Sequence, residues 1–200
     1  MELLSSIHFP TLIYQSHHRE WIDQTLDFCQ PHFDLVKNQT PKKIFPVYQT
    51  GSVHLDPNFS YFTEYVLEQS AIILDDQGYD LSKHELYFED CWAQEVMTYG
   101  HHFPHVHSNS QISGFYFLEC PQEGIYPLFY DPRHGKNMIN LPEKNINNIT
   151  PATYECNYQP QPGMFMFFNS WLPHSFQLNA SDQVCKFLHF NISAKRRYEK

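Results

Sequence analysis

Apolar residues recur at helical spacing in two stretches of the first third of the chain, and from about residue 85 the period shortens to two. The segment REWIDQTLDFCQ (19–30) reads as a helix that Pro31 should stop, because proline removes a backbone donor and clashes with the preceding turn. In DPNFSYFTEYVLEQSAIIL (56–74), Phe59, Phe62, Val66 and Ile73 fall on one helical face, with Asp56-Pro57 as the N-terminal cap. Beyond residue 85, alternation and turn residues predict strands near 86–98, 111–119, 125–130, 152–158, 163–168 and 185–193. Short strands with no helices between them imply a sandwich or barrel rather than a parallel sheet. Residues 131–151 have no clean period, and a stretch that long is expected to be a lid or binding loop. The expected fold is mainly β with flanking helices, a jelly roll. It is read as one domain over 1–200, with a mixed front part at about 1–84 and a β core at about 85–195.

Composition narrows the function classes. The chain of 200 residues is long enough to bury a sizeable core, and an aromatic share of 16% implies a core or pocket walled by rings. A formal charge of −9 argues against a nucleic-acid partner, since neutralising phosphates needs clustered Lys and Arg. Only the terminal AKRRYEK is basic, and it reads as a solvated tail. The five cysteines form no C-x-x-C pair, which suits neither a disulfide framework nor a thiolate zinc site. No secretion signal and no membrane-spanning apolar run is read, so the expected compartment is the cytoplasm. A homodimer is left open.

The candidate chemistry lies in HHFPHVHSNSQISGFYF (101–117), which holds four of the 13 histidines. His105 and His107 are two apart, so on extended backbone both rings point to one side and could grip one metal ion. His174, after the hydrophobic strand of GMFMFFNSWLPHSF, offers a third ligand. His101 and His102 read as surface residues. Trp92, Phe115, Phe165, Phe167 and Trp171 read as core, with Trp171 alternatively a pocket wall.

The ordered blocks HVHSNSQISGFYFL, FYDPR, QPGMFMFFNSWLPHSF and FLHFNIS, over about residues 88–193, resemble a family of 2-oxoglutarate/Fe(II)-dependent oxygenases of bacteria and tailed phages. The resemblance implies a double-stranded β-helix, cupin-like, and places His105, His107 and His174 on the family's metal positions. In the wider superfamily the second ligand is a carboxylate. Here it is His107, with Asp131 as an alternative or supporting carboxylate. The implied cofactor is Fe(II), with O₂ and 2-oxoglutarate as co-substrates. The implied reaction is hydroxylation of a peptidyl side chain or a small metabolite.

One departure stands out. The family's last-strand Arg, which pairs with the far carboxylate of 2-oxoglutarate, falls on Cys185. Lys186, one residue on, would need a bulge to face inward. Arg133 and Lys136 are the other candidate cations. Tyr116, His189 and Asn191 complete the expected co-substrate pocket, and Phe117 lacks the hydroxyl of the family's second aromatic. Two other readings fit these residues: a three-histidine metalloenzyme that uses no 2-oxoglutarate, and a non-enzymatic β-sandwich that binds a partner or belongs to a virion.

Overall fold

The computed structural model describes residues 3–39 and 45–197. In chain order it contains β1 (Ile13–His17), α1 (Ile22–Gln39), β2 (Val47–Gln49), α2 (Ser60–Asp76), β3 (His84–Val96), β4 (His102–His105), β5 (Ile112–Glu119), β6 (Pro127–Tyr130), β7 (Glu155–Asn157), β8 (Met164–Asn169), β9 (His174–Phe176) and β10 (Cys185–Arg196). Of the basic terminal stretch, residues 198–200 lie outside the described residues.

The strands form two antiparallel sheets. The larger runs β1-β8-β5-β10-β3-β2 and the smaller β4-β9-β6-β7. Strand parity divides the apolar residues between two layers. On one face of the large sheet, Tyr116 and Leu118 of β5, Phe165 and Phe167 of β8, and Leu188, Phe190 and Ile192 of β10 pack against the helices. On the other face, Phe115 and Phe117, Met164, Met166 and Phe168, and Cys185 and Phe187 pack against Phe129 and Phe176 of the small sheet. The result is three layers (helices, large sheet, small sheet), and the two sheets close over each other as the expected jelly roll.

The helices follow the sequence reading with one correction. Asp56 caps the second helical segment by accepting from the Asn58 N–H at 2.9 Å, ahead of a 3₁₀ turn at Pro57–Phe59 that leads into α2. Phe59, Phe62, Val66 and Ile73 are all buried, as their spacing requires. Pro31, however, does not stop α1, which continues to Gln39. Thr25, Cys29 and Phe33 form its buried face, while Pro31 and Asp27 lie on the solvent side. There the Asp27 carbonyl, deprived of its donor, can be hydrated, and burial of Phe33 two residues after the proline keeps the helix going.

The six predicted strands all form within a few residues of their expected limits. β1, β2, β4 and β9 were not foreseen; each is three to five residues long. Residues 131–151 are mostly exposed and contain only a 3₁₀ turn at His134–Met138.

Candidate metal centre

Three imidazoles converge between the sheets. β4 and β9 pair so that His105 lies opposite His174, and β9 in turn pairs His174 with Phe129 of β6. His107 follows β4 and is tied down where its N–H donates to the Ser170 carbonyl at 3.0 Å. One ligand atom from each of His105, His107 and His174 lies within 4.8 Å of the others, so the trio could hold a metal ion. His174 is buried and His105 exposed, so the cluster opens to solvent on the His105 side.

The donor set suits such an ion. The Nδ1 of His105 lies 2.7 Å from the Phe103 carbonyl, and the Nδ1 of His174 lies 3.0 Å from the Leu172 carbonyl. A carbonyl only accepts, so each Nδ1 carries the proton and Nε2 is left as a free lone pair. The Nε2 atoms of His107 and His174 are buried without a partner, which is costly unless something binds there.

Asn191 stands behind His107, its Nδ2 3.3 Å from the His107 Nδ1, while its Oδ1 accepts from the Ser113 hydroxyl at 2.6 Å. Ser113 in turn contacts the Ser170 hydroxyl at 2.8 Å. A carboxamide turned by half a revolution preserves every one of these contacts and presents an oxygen to His107. His189 completes the cluster: its ring is 4.5 Å from that of His107 and stacks on Trp92 at 4.5 Å, and neither of its nitrogens has a partner.

Burial sets the protonation state. The pKa of His107 is pushed down to about 4 by burial and by His105 beside it. Burial likewise lowers His174 to about 3 and His102 to about 4, and drives His189 well below its ordinary value. Neutral imidazoles are the form that ligates metals. An imidazole depressed in the folded state binds fewer protons there than when unfolded. Its contribution to stability is therefore complete above the unfolded pKa of about 6.5 and is lost as pH falls toward the folded value. Chelator-treated protein should thus show a flat unfolding midpoint above about pH 7 and a steep fall between about pH 6.5 and 4. A midpoint unchanged across that window in thermal unfolding would contradict the assignment.

The other expected site residues lie elsewhere. The Asp131 carboxylate is bound by Arg133, with contacts of 2.6–3.2 Å, and by Lys136 at 3.1 Å. These hydrogen bonds, led by that from Arg133, hold its pKa well below the usual carboxylate range. Asp131 is therefore committed to an ion pair and is not part of the three-residue cluster. Arg133 also donates to the Pro151 carbonyl, and Lys136 to that of Thr153. Asp131 and Arg133 line a separate cavity of about 400 Å³ beneath residues 6–13, which contains none of the clustered imidazoles.

Tyr116 points to the helix side, where its hydroxyl donates to the His18 carbonyl at 2.7 Å. Trp171, read as core, is 48% exposed. Lys186 also faces away from the imidazoles. The pairing with β5 does shift between Lys186 and Phe187, but the ammonium still goes to Glu119 at 3.0 Å and Glu95 at 3.8 Å. Glu95 is only 2% exposed and also pairs with Lys37 of α1 at 2.5 Å. Lys186→Met should therefore leave co-substrate affinity unchanged. It should cost about 1–3 kcal/mol of stability, the usual penalty for stripping a partner from a buried charge. Paired denaturation and ligand-binding measurements on this variant check both halves.

His102 corrects the reading in the other direction. It stands three residues before His105, an odd spacing that would face it outward on a regular strand. The β4–β9 pairing is irregular between the two, and His102 instead lines a cavity shared with His105 and His174. Trp92, read as core, lines the same cavity with its indole N–H buried and unpartnered.

Comparison with known proteins decides the family. Residues 90–191, half of the chain, from late β3 to mid β10 and including all three clustered imidazoles, match the family model described as 2OG-Fe(II) oxygenase. The chain belongs to that family. Its cofactor is accordingly Fe(II) and its co-substrate 2-oxoglutarate. No curated protein matches the sequence.

Among solved structures, the oxygenase resembles the non-heme alpha-ketoglutarate-dependent epimerase SnoN from nogalamycin biosynthesis. The TM-score is 0.63 at 10% identity, over 94% of this chain and 79% of the other. A prolyl-4-hydroxylase from Pseudomonas putida gives a TM-score of 0.59 at 11% identity, covering 94% of both chains. HygX from Streptomyces hygroscopicus, solved with nickel and 2-oxoglutarate bound, gives 0.59 at 9% identity over 92% and 83%. These likenesses establish the fold of the oxygenase as a double-stranded β-helix. Among the described residues, no helix is long and apolar enough to cross a membrane.

Proposed function

We propose that His105, His107 and His174 hold the Fe(II) of this oxygenase, and that it hydroxylates a C–H bond of a peptidyl side chain or a small metabolite. The observation that carries this reading is the convergence of three imidazoles, two of which, His107 and His174, have buried Nε2 atoms without any protein partner. Bound iron supplies the activation of O₂ coupled to decarboxylation of 2-oxoglutarate; the protein's residues place the ligands and the substrate.

Two of the three ligands are oriented by backbone carbonyls and the third by Asn191. A His107 that binds through Nε2 carries its proton on Nδ1 and needs an acceptor. The half-turned Asn191 amide supplies one, passing its own N–H to Ser113 and the Ser113 hydroxyl proton to Ser170. Substrate reaches the open His105 side across a rim of exposed apolar side chains, Phe103, Val106 and Trp171, each next or near to a proposed ligand in sequence. The presence of both prolyl hydroxylases and an epimerase from nogalamycin biosynthesis among the structural neighbours supports either substrate class. Residues 1–200 act as one oxygenase unit, and the scattered cysteines suit a cytoplasmic setting.

Anaerobic titration tests the reading. Apo-protein should take up one equivalent of Fe(II), and 2-oxoglutarate should then raise a visible charge-transfer band. Iron uptake without a band would favour a three-histidine enzyme that does not use 2-oxoglutarate. No uptake by folded protein would remove the enzymatic reading.

A further inference from the structure

If 2-oxoglutarate binds at the three imidazoles, as proposed above, its far carboxylate must be met by something other than an arginine. Inward of His105 and His174 lies a cavity of about 110 Å³, room for several water-sized groups. Its other walls are Gln49, Trp92, Gln94, His102, His189 and two phenylalanines, with no lysine or arginine. Among the described residues, the core behind it is apolar. The floor is Phe176, stacked on Phe187 at 4.5 Å, and beyond it the core continues with Val47, Val96 and Cys185. Lys186, the lysine nearest in sequence, is engaged on the opposite face of the strand by Glu119 and Glu95.

The cavity is nonetheless strongly polar. Besides the Nε2 of His174, four buried ring nitrogens in its wall have no partner: Nε1 of Trp92, Nε2 of His102 and both nitrogens of His189. Gln94, 4% exposed, is fixed by donating to the Gln49 carboxamide at 3.0 Å, which leaves the Gln49 amide N–H groups free to donate. Trp92 is held flat against His189, so its N–H is fixed in direction. Buried polar groups left unsatisfied on this scale normally indicate a polar ligand.

We propose that the far carboxylate of 2-oxoglutarate is received in this cavity by neutral donors, namely Trp92, His102 and the Gln49–Gln94 amide pair, with no cation. A carboxylate accepting several fixed N–H groups is stabilised in its charged form without a counter-ion. Each such charge-assisted bond is worth roughly a factor of ten in affinity.

The test compares two 2-oxo acids on iron-loaded protein under anaerobic conditions, reading the charge-transfer band. 2-Oxoglutarate has the far carboxylate and 2-oxobutyrate lacks it. Gln94→Met should weaken 2-oxoglutarate by about tenfold and leave 2-oxobutyrate unchanged, with iron still at one equivalent. Trp92→Phe, which deletes the indole N–H while keeping an aromatic ring, should give the same selective loss, and it serves if Gln94→Met fails to fold. Equal weakening of both acids, or no change in either, would overturn the proposal while leaving the iron assignment intact. Wild-type protein that takes up iron but gives a band with neither acid would overturn the co-substrate reading, and this inference with it.

Discussion

Replacing His107 by alanine should abolish iron uptake, whereas replacing it by aspartate should preserve one equivalent of iron and weaken 2-oxoglutarate. The alanine variant leaves two imidazoles, one of them solvent-exposed, to hold a divalent ion. It also leaves Asn191 without its partner in the chain to Ser113 and Ser170. Aspartate restores a ligand atom at the position where the wider superfamily carries a carboxylate, but it changes the charge of the site by one unit. A unit charge at about 4 Å in a site of effective dielectric ~20 is worth about 4 kcal/mol before screening. Loss of tenfold or more in affinity for a dianionic co-substrate is therefore expected. Iron stoichiometry and the anaerobic charge-transfer titration measure the two quantities separately. Full iron binding by His107→Ala would remove His107 from the ligand set.

Gly114→Ala should be the most destabilising methyl group that can be added to the sheet. Gly114 sits in the middle of β5, opposite Phe190 of β10, and that ring lies directly over it. A Cβ there would stand 2.3 Å from the Phe190 Cζ and 2.4 Å from the Met166 carbonyl oxygen of β8. The ring cannot swing away, because Phe62, Phe165 and Phe167 surround it. The carbonyl belongs to a central strand and cannot yield alone. Overpacking of this kind costs at least about 3 kcal/mol, the upper part of its usual range. In a protein of this size that lowers the unfolding midpoint by roughly 6–12 °C. Thermal unfolding of the iron-free protein decides it, and a midpoint within error of wild type would mean the strands can part without cost. Iron affinity should fall as well, since the neighbouring Ser113 anchors the support of His107.

Much of the architecture could be read from the chain because its longer elements bury continuous faces. α2 announced itself through its Asp56 cap and buried Phe59, Phe62, Val66 and Ile73, and the six predicted strands through alternation. The four strands not foreseen are too short for a period to show, and β9 begins straight after Pro173. Pro31 misled because a helix rule written for interiors does not know which side of the helix will face water. At the site, H-x-H and a distant His174 were legible from spacing and resemblance. Strand parity also put His189 and Asn191 on the face of position 185 and Lys186 on the opposite one, as the structure has them. Tyr116 was taken for a pocket residue although it lies on the opposite face from Phe115, which lines the cavity. His102 escaped because only the irregular pairing of β4 with β9 turns it inward, and no single-sequence pattern encodes such an irregularity.

The division of labour along β10 constrains how this gene can change. Odd-numbered positions from 185 to 191 face the chemistry, and even-numbered positions from 186 to 192 face the helices or their ion pairs. Substitutions on either side can drift separately, each judged by its own layer. A single-codon insertion or deletion between 185 and 191 has no such freedom. It exchanges the two faces downstream, sending Phe190 toward the imidazoles and Asn191 into the helix layer. The same length change in the mostly exposed chain at 139–150 disturbs only local contacts such as those of Glu143 with Thr153 and Tyr154, and leaves both core layers in place. Descendants of this sequence should therefore vary in length across the latter stretch and keep an invariant residue count through the former.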